Sequence, residues 1–481
     1  MKRPILLLIV VFATVVSFSQ PVTKAVEKWD LRKCVEYALK NNITVRQADL
    51  QQKFAELDVH QSKWNMLPSA NFNGNTGYSA GRNQDPTSFS LITTGYLFSN
   101  YSLQASLDLF NWFAKKNNIA VKDLNVKATL AGFEKAKNDV ALNVALAYLQ
   151  ILLTKEQVNI ARIQLNQTGS QLESVKKQVS AGTLPELNQV QLEAQYATDS
   201  SNLVTAQSSV NQYLLQMKVL LNLDPGNLFD VESPPVDVIP IENLAELQPE
   251  YVYSLAKINM PQQQVDELNL KAAQKSVQVA KAQMYPTFSL FGSLGAAYNS
   301  KSEQVISVTP LNPPIGNVTV NSTTYNVFPL QPINQYSYGK IGYFDQLNQN
   351  FRQSIGIGIS IPISNGGNIR AGWLRSKLTV KQIELTKEQN SQTLKQDIYK
   401  AYIDATAAVE KFNANKKAVE ASQKAYDFAK KRFDLGLLST YDLLNTQNTL
   451  LQAKTNLLYA QYDYVFKMKL LEFYKGQGLK L

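Results

Sequence analysis

The stretch Phe351–Ile363 reads F-R-Q-S-I-G-I-G-I-S-I-P-I. Isoleucine stands at 355, 357, 359, 361 and 363, and Gly356, Gly358 and Ser360 fill the places between. Side chains on a strand point alternately to its two faces, so the isoleucines share one face and the small residues the other. The same alternation sets Leu103, Ala105, Leu107 and Leu109 against Ser102, Gln104, Ser106 and Asp108. It sets Phe288, Leu290 and Leu294 against Thr287, Ser289 and Ser293, and Phe72 and Tyr78 against Asn71, Asn73 and Asn75. Four segments of about ten residues, apolar on one side and small or polar on the other, fit strands of a membrane barrel with lipid outside and water inside. The Gly356-x-Gly358 pair lies within such a strand and lacks the context of a phosphate loop.

Four strands cannot close around a lumen; even eight leave little room inside. An unpaired edge in lipid is forbidden, so several copies of the chain must share one barrel. The pattern demands an oligomer without giving its number.

Outward from the strands, the chain repeats itself. Ala147-Tyr148 recurs as Ala401-Tyr402, Lys176-Lys177 as Lys430-Lys431, Gly182 as Gly436, Leu184 as Leu438 and Asn202 as Asn456, always 254 residues on. Leu67-Pro68 corresponds to Tyr285-Pro286, and Gly74 and Gly77 to Gly292 and Gly295, at an offset of 218. The second half therefore carries an insertion. The region 299–350, rich in Asn, Pro, Thr, Tyr and Gly, is expected to be that insertion, as a long loop without regular structure.

Each half also carries apolar residues at a spacing of seven. Val144, Ile151, Val158, Leu165, Leu172 and Val179 are answered by Ile398, Ala405, Phe412, Val419, Tyr426 and Phe433. After the glycine turns, Tyr196, Leu203, Val210 and Met217 are answered by Leu450, Leu457, Tyr464 and Leu471. Sustained heptads mean long helices packed along a seam. With no proline from 113 to 178, one helix there would run about 100 Å.

The opening Met1-Lys2-Arg3 and the apolar run Ile5–Phe18 read as a secretory signal peptide over 1–20. No later stretch has the length and hydropathy of a membrane helix, so any membrane portion is built of strands. Cys34 is the single cysteine and His60 the single histidine, which excludes a disulfide within the chain, a His/Cys metal centre and triad chemistry. The formal net charge is +10, but the lysines are spread among Glu and Gln along helices, so no nucleic-acid partner is expected. Nothing suggests a cofactor.

The duplication, the proline-led hairpins and the glycine turns between heptad helices together resemble the TolC-type outer-membrane efflux family over essentially the whole mature chain. The most specific stretch is Phe433-Asp434-Leu435-Gly436-Leu437-Leu438-Ser439-Thr440-Tyr441-Asp442-Leu443-Leu444. It is similar to the family's aromatic-x-x-Gly-x-x-Ser-x-x-Asp turn. Trp29-Asp30-Leu31 with Ala38–Asn42 is similar to the family's first helix. The resemblance implies a mixed α+β membrane protein. Each tandem-duplicated protomer would give four strands to a trimeric, twelve-stranded β-barrel in the outer membrane and long coiled-coil helices to a periplasmic α-helical barrel. It implies a homotrimer that works with a periplasmic adaptor and an inner-membrane pump of the RND or ABC type, in contact with outer-membrane lipid.

On that template, 21–67 are the periplasmic helices of the first repeat and 68–110 its hairpin, with an extracellular loop at 80–100. Long helix, tip turn and return helix occupy 111–223, and 224–250 is a linker contributing to a belt. In the second repeat 251–285 is helical, 286–364 is the hairpin with the extracellular loop 299–350, 365–475 are the long helices and 476–481 a tail. The tip turns, Gly182-Thr183-Leu184 and Gly436-Leu437 with Ser439, are the expected adaptor contacts. The family's entrance constriction maps to Asp442 and to Asn445, where the second family aspartate is replaced. The residues of its closed-state lock map to Phe433 and Leu438, neither of which can make the polar lock, so any gate rests on other contacts. The expected function is passive conduction of substrates out of the cell, not catalysis. Alternatives are a periplasmic coiled-coil spacer without a pore, and a glycosidase, for which no carboxylate pair stands out.

Overall fold

The computed structural model describes residues 28–85, 89–233 and 243–476. The expected signal peptide, part of the 224–250 linker and nearly all of the 476–481 tail lie outside the described residues. The elements in order are β1 (Lys28–Trp29), α1 (Leu31–Asn41), α2 (Ile43–Trp64), β2 (Ser69–Gln84), β3 (Leu91–Phe110), α3 (Ala114–Ser180), α4 (Glu186–Leu221) and β4 (Asp230–Val231). They continue as α5 (Pro249–Asn259), α6 (Pro261–Ala282), β5 (Thr287–Asn299), β6 (Glu303–Leu311), β7 (Gly316–Val320) and β8 (Thr323–Val327). The remainder are β9 (Ile333–Lys340), α7 (Tyr343–Gln349), β10 (Arg352–Ser360), α8 (Asn368–Asp434) and α9 (Thr440–Tyr474).

Both repeat offsets reappear as element boundaries. α1 begins at Leu31 and α5 at Pro249, α2 at Ile43 and α6 at Pro261, and β2 at Ser69 and β5 at Thr287, each pair 218 residues apart. α3 and α8 are both 67 residues long, and they start 254 residues apart. The breaks between the paired short helices have a local cause in each repeat. Pro261 cannot continue α5, while at Asn42 the side-chain oxygen accepts from the Thr44 N–H and caps the following turn.

The chain divides into two compact units, Leu50–Ala131 with Gln262–Asn390, and Met1–Asp49 with Gly132–Pro261 and Ser391–Leu481. The first unit carries a four-stranded antiparallel sheet in the order β10-β5-β3-β2. Its register places Phe72, Leu103 and Leu294 side by side, and Leu107, Leu290 and Ile357 likewise. These residues lie on one face, where Ile355 and Ile357 are 82% and 67% exposed. The opposite face carries Asn71, Asn73, Gln104, Ser106, Ser289, Ser293 and Ser354. Among the described residues β2 and β10 are each paired on one side only. An even number of antiparallel strands leaves these two edges antiparallel to each other, so identical copies can join edge to edge.

Three expectations are corrected here. The 299–350 region is not without regular structure: β6 pairs with β9 and β7 with β8 as antiparallel ribbons, and α7 follows. Between its prolines and asparagines lie short β-branched and aromatic runs such as Val305–Thr309 and Thr323–Val327, which suffice for two-residue-period pairing. The 80–100 loop is also shorter than expected, because the β2–β3 ladder runs out to Gln84 opposite Leu91. Finally, β10 ends at Ser360, leaving Ile361 and Ile363 beyond the strand, since Pro362 has no N–H to give the ladder.

The second unit is helical. Cys34, Val35 and Ala38 of α1, Val144, Ile151 and Leu152 of α3, Met217 and Leu221 of α4 and Val465 of α9 form its main core. A second core joins Val252 and Ala256 of α5 to Ile398, Ala401 and Ala405 of α8 and Met468 and Leu471 of α9. Each large aliphatic side chain so buried contributes about 1.5–3 kcal/mol. Every heptad position named for α3 and α8 is buried or half-buried; on α4, Tyr196 is 41% exposed, its ring lying over Gly169. β1 and β4 form a short parallel pair in this unit. Lys155 fastens it through Asp230 (2.6 Å) and the Val231 carbonyl, and the Tyr148 hydroxyl donates to the Glu232 carbonyl at 2.7 Å.

Candidate functional site: the helical tips

α3 ends because Gly182 turns left-handed at φ +73°, and α8 ends the same way at Gly436, φ +75°. At each end the glycine N–H bonds the carbonyl three residues back and the next residue's N–H the carbonyl five back. The pairs are Gly182 with Val179 and Thr183 with Gln178, then Gly436 with Phe433 and Leu437 with Arg432. This is a Schellman closure, and it needs a residue without a Cβ penalty at the turn.

The return helices start differently. α4 starts after Pro185 with no side-chain cap, whereas the Ser439 hydroxyl of the second tip accepts from the Asp442 N–H at 3.1 Å. That hydroxyl donates in turn to the Asp442 carboxylate at 2.7 Å. The aspartate is thus the third helical residue behind a serine cap, its carboxylate held by the capping hydroxyl at a helix N-terminus that favours negative charge.

Asp442 and Asn445 are both exposed and one turn apart, while Leu443, Leu444, Gln447 and Leu450 on the other side of α9 are buried. The exposed face continues through Thr449, Gln452, Asn456 and Tyr459 to Asp463. Sequence reading found its first two members and missed the rest; the three- and four-residue spacing of these polar positions was the available signal.

Phe433 and Leu438 are half-buried. Phe433 packs both with Leu172, Val175, Leu192 and Leu444 and with Tyr426, Ala429, Leu443 and Leu450, so one ring joins the two tips; Leu438 packs with the latter group. Leu184 packs with the former. Gly182, Thr183, Gly436, Leu437 and Ser439 are exposed, and beside them stand the exposed apolar side chains Leu187, Val190, Leu435 and Tyr441.

Behind the tips lies a polar layer that sequence reading did not find. The Thr168 hydroxyl donates to Asp199 at 2.7 Å, Gln195 donates to the other Asp199 oxygen at 2.9 Å, and Gln447 donates to Thr168 at 3.2 Å. Gln167 and Gln171 both donate to the Tyr426 hydroxyl; burial raises that phenol's pKa and the two amides partly offset it. Among the described residues no cluster of three or more His, Cys, Asp or Glu is placed to hold a metal, and no helix is long and apolar enough to cross a membrane.

A sheet with one apolar and one polar face, open at both edges among the described residues, joined in each repeat to a 67-residue helix that ends in a glycine turn, defines a protomer of an outer-membrane duct. The outer membrane efflux protein family model matches residues 34–223 and 252–473, and the chain belongs to that family. It is 21% identical over 453 residues to the outer membrane protein TolC of Escherichia coli, covering 91% of this chain and 80% of that one. It is 23% identical over 356 residues to the pyoverdine export outer membrane protein OpmQ of Pseudomonas aeruginosa, covering 72% and 62%. Among solved structures, CusC superposes with a TM-score of 0.74 at 19% identity over 96% of each chain. The protein is an outer-membrane exit duct for efflux or secretion and not an enzyme, with its helical part in the periplasm.

Proposed function

We propose that three copies assemble into one duct, and that substrates delivered by an inner-membrane pump through a periplasmic adaptor pass through it passively. Twelve strands are the smallest multiple of four that leaves an open lumen, since eight are nearly filled by side chains. The exposed apolar residues Leu187, Leu435, Leu437 and Tyr441 around the glycine turns supply the adaptor surface, and Thr183, Leu184 and Ser439 shape those turns. Apolar residues that close over a partner in this way carry most of an interface's energy.

The observation that carries the reading is the placement of Asp442 and Asn445 on the exposed face of α9, one turn past the tip. Repeated by symmetry, Asp442 forms an acidic ring that favours cations, as charged rings do in pores. Asn445 adds hydrogen-bonding capacity to that constriction without charge. The gate rests on packing: opening separates Phe433 from one of its two clusters and slides Leu438, an exchange between discrete packed arrangements. Asp442→Asn is expected to reduce cation selectivity and block by divalent ions in single-channel recordings. Unchanged selectivity and block would reduce Asp442 to its capping role.

A further inference from the structure

The second repeat's insertion contains α7, and α7 folds back onto the apolar face of the sheet. Tyr298, Ser99 and Tyr101 occupy that face at one end. The Tyr343 hydroxyl lies 2.9 Å from that of Tyr101, and its ring is 4.6 Å from Tyr298. Two side-chain anchors, the buried Gln346 and the half-buried Asn350, hold the helix. The Gln346 side-chain oxygen accepts from the Asn299 N–H at 2.9 Å, and the Asn350 amide donates to the Ala297 carbonyl at 2.8 Å. Ser99 is left only 2% exposed, whereas Phe344, next to Tyr343 on α7, is 81% exposed.

A second aromatic cluster closes the other end of the same face. The Trp112 ring lies tilted 4.8 Å from that of Tyr285, its N–H donates to the Pro286 carbonyl, and Phe110 lies between Trp112 and Phe288. Along β5, Phe288 and Tyr298 are ten residues apart, with Leu290, Gly292, Leu294 and Ala296 between them on that face. Ten residues of strand span about 33 Å. Tilted by about 40°, they cover about 25 Å, the height of the apolar band between the aromatic girdles of an outer-membrane barrel.

We propose that α7 is an interfacial helix laid on the lipid-facing wall at the outer-leaflet boundary, with Phe344 inserted among the lipids. The argument for lipid is continuity. Phe344 extends the same face that presents Ile355, Ile357 and Leu294, and aromatic side chains favour the membrane–water boundary. A short helix packed against the barrel leaves no unpaired strand edge at that depth. The proposal rests on the outer-membrane location of the family and not on the number of copies.

The test places an environment-sensitive fluorophore at Phe344→Cys in the assembled protein in vesicles; Cys34 is buried, so labelling falls on the new site. Quenching by lipids carrying a nitroxide near the headgroup is expected to exceed quenching by soluble iodide several-fold. Ile357→Cys is expected to be quenched best by a nitroxide deep in the chain, and Ser293→Cys, on the opposite face, by iodide alone. Strong iodide quenching with weak lipid quenching at 344 would place α7 in water, and quenching by neither would place it against another copy; both overturn the proposal. Phe344→Trp with brominated lipids gives the same ordering by a conservative substitution, should the label disturb insertion.

Discussion

The side-chain amide of Gln447 on α9 donates to the hydroxyl of Thr168 on α3 at 3.2 Å, 279 residues away in the chain and buried at both ends. The Thr168 hydroxyl in turn donates a hydrogen bond to Asp199, so α3, α4 and α9, drawn from both repeats, meet at a single hydroxyl. Inside a packed helical layer such a bond matters most through what its loss leaves unpaired.

Thr168→Val removes the donor to Asp199 and the acceptor for Gln447 together. The free energy of local opening is expected to fall by about 1–3 kcal/mol. Gln447→Leu should cost less, since it also removes a buried side-chain oxygen that already lacks a partner. Hydrogen exchange of the amides at 165–171 and 195–203 measures both, without requiring reversible unfolding of a membrane assembly.

Gly182→Ala and Gly436→Ala meet no steric obstacle, as nothing lies within 4 Å of either added Cβ. The cost is conformational, about 1–2 kcal/mol at each left-handed turn. Gly132 is the internal contrast, since it lies within α3 with open space around it. Gly132→Ala should stabilise by about 1 kcal/mol. Faster proteolysis at the tips in the first two variants, and slower exchange around residue 132 in the third, is the expected pattern.

Ser439→Ala deletes the cap of α9 and releases the Asp442 carboxylate from its hydroxyl partner. A loss of about 1 kcal/mol is expected, appearing as faster exchange at the amides of 441–443. The first tip has no such cap to lose, so the amides of 187–189 should not change.

Burial pushes the Cys34 thiol up to about 12, with Asp30 adding to the shift and Lys33 opposing it. The folded chain therefore holds this proton when an unfolded thiol, near 9.0, has released it. The sign follows: this contribution to stability is complete below about 9 and is lost as pH rises from there toward about 12. Alkylation of Cys34 should be negligible in the folded protein at pH 9 and rapid after denaturation, which mass spectrometry can read.

Much of this architecture was legible in advance because its signals are periodic. Ile355, Ile357 and Ile359 announce a two-sided strand, and Val144 to Val179 a seam of seven. The glycine turns were legible too, because Gly182 and Gly436 hold one place in both repeats. Asp199 was not: it is one polar residue among many on a polar helix, and neither Thr168 nor Gln447 is near it in the chain. The ribbons β6–β9 and β7–β8 were hidden by the prolines and asparagines around them, whose turn preference dominates a count of composition. α7 is too short to show a helical period.

The sequence by itself determined the four strands of the sheet and the long helices, where those helices stop, and that the sheet must be completed by further copies. Those outcomes follow from local periods and from backbone limits at glycine and proline, which act within a few residues. Only the tertiary structure decided that Thr168 serves Asp199 and Gln447 at once, that Phe433 joins two apolar clusters, and that α7 lies on the sheet's apolar wall. Such contacts depend on which side chains meet across hundreds of residues, and no spacing along the chain encodes that meeting.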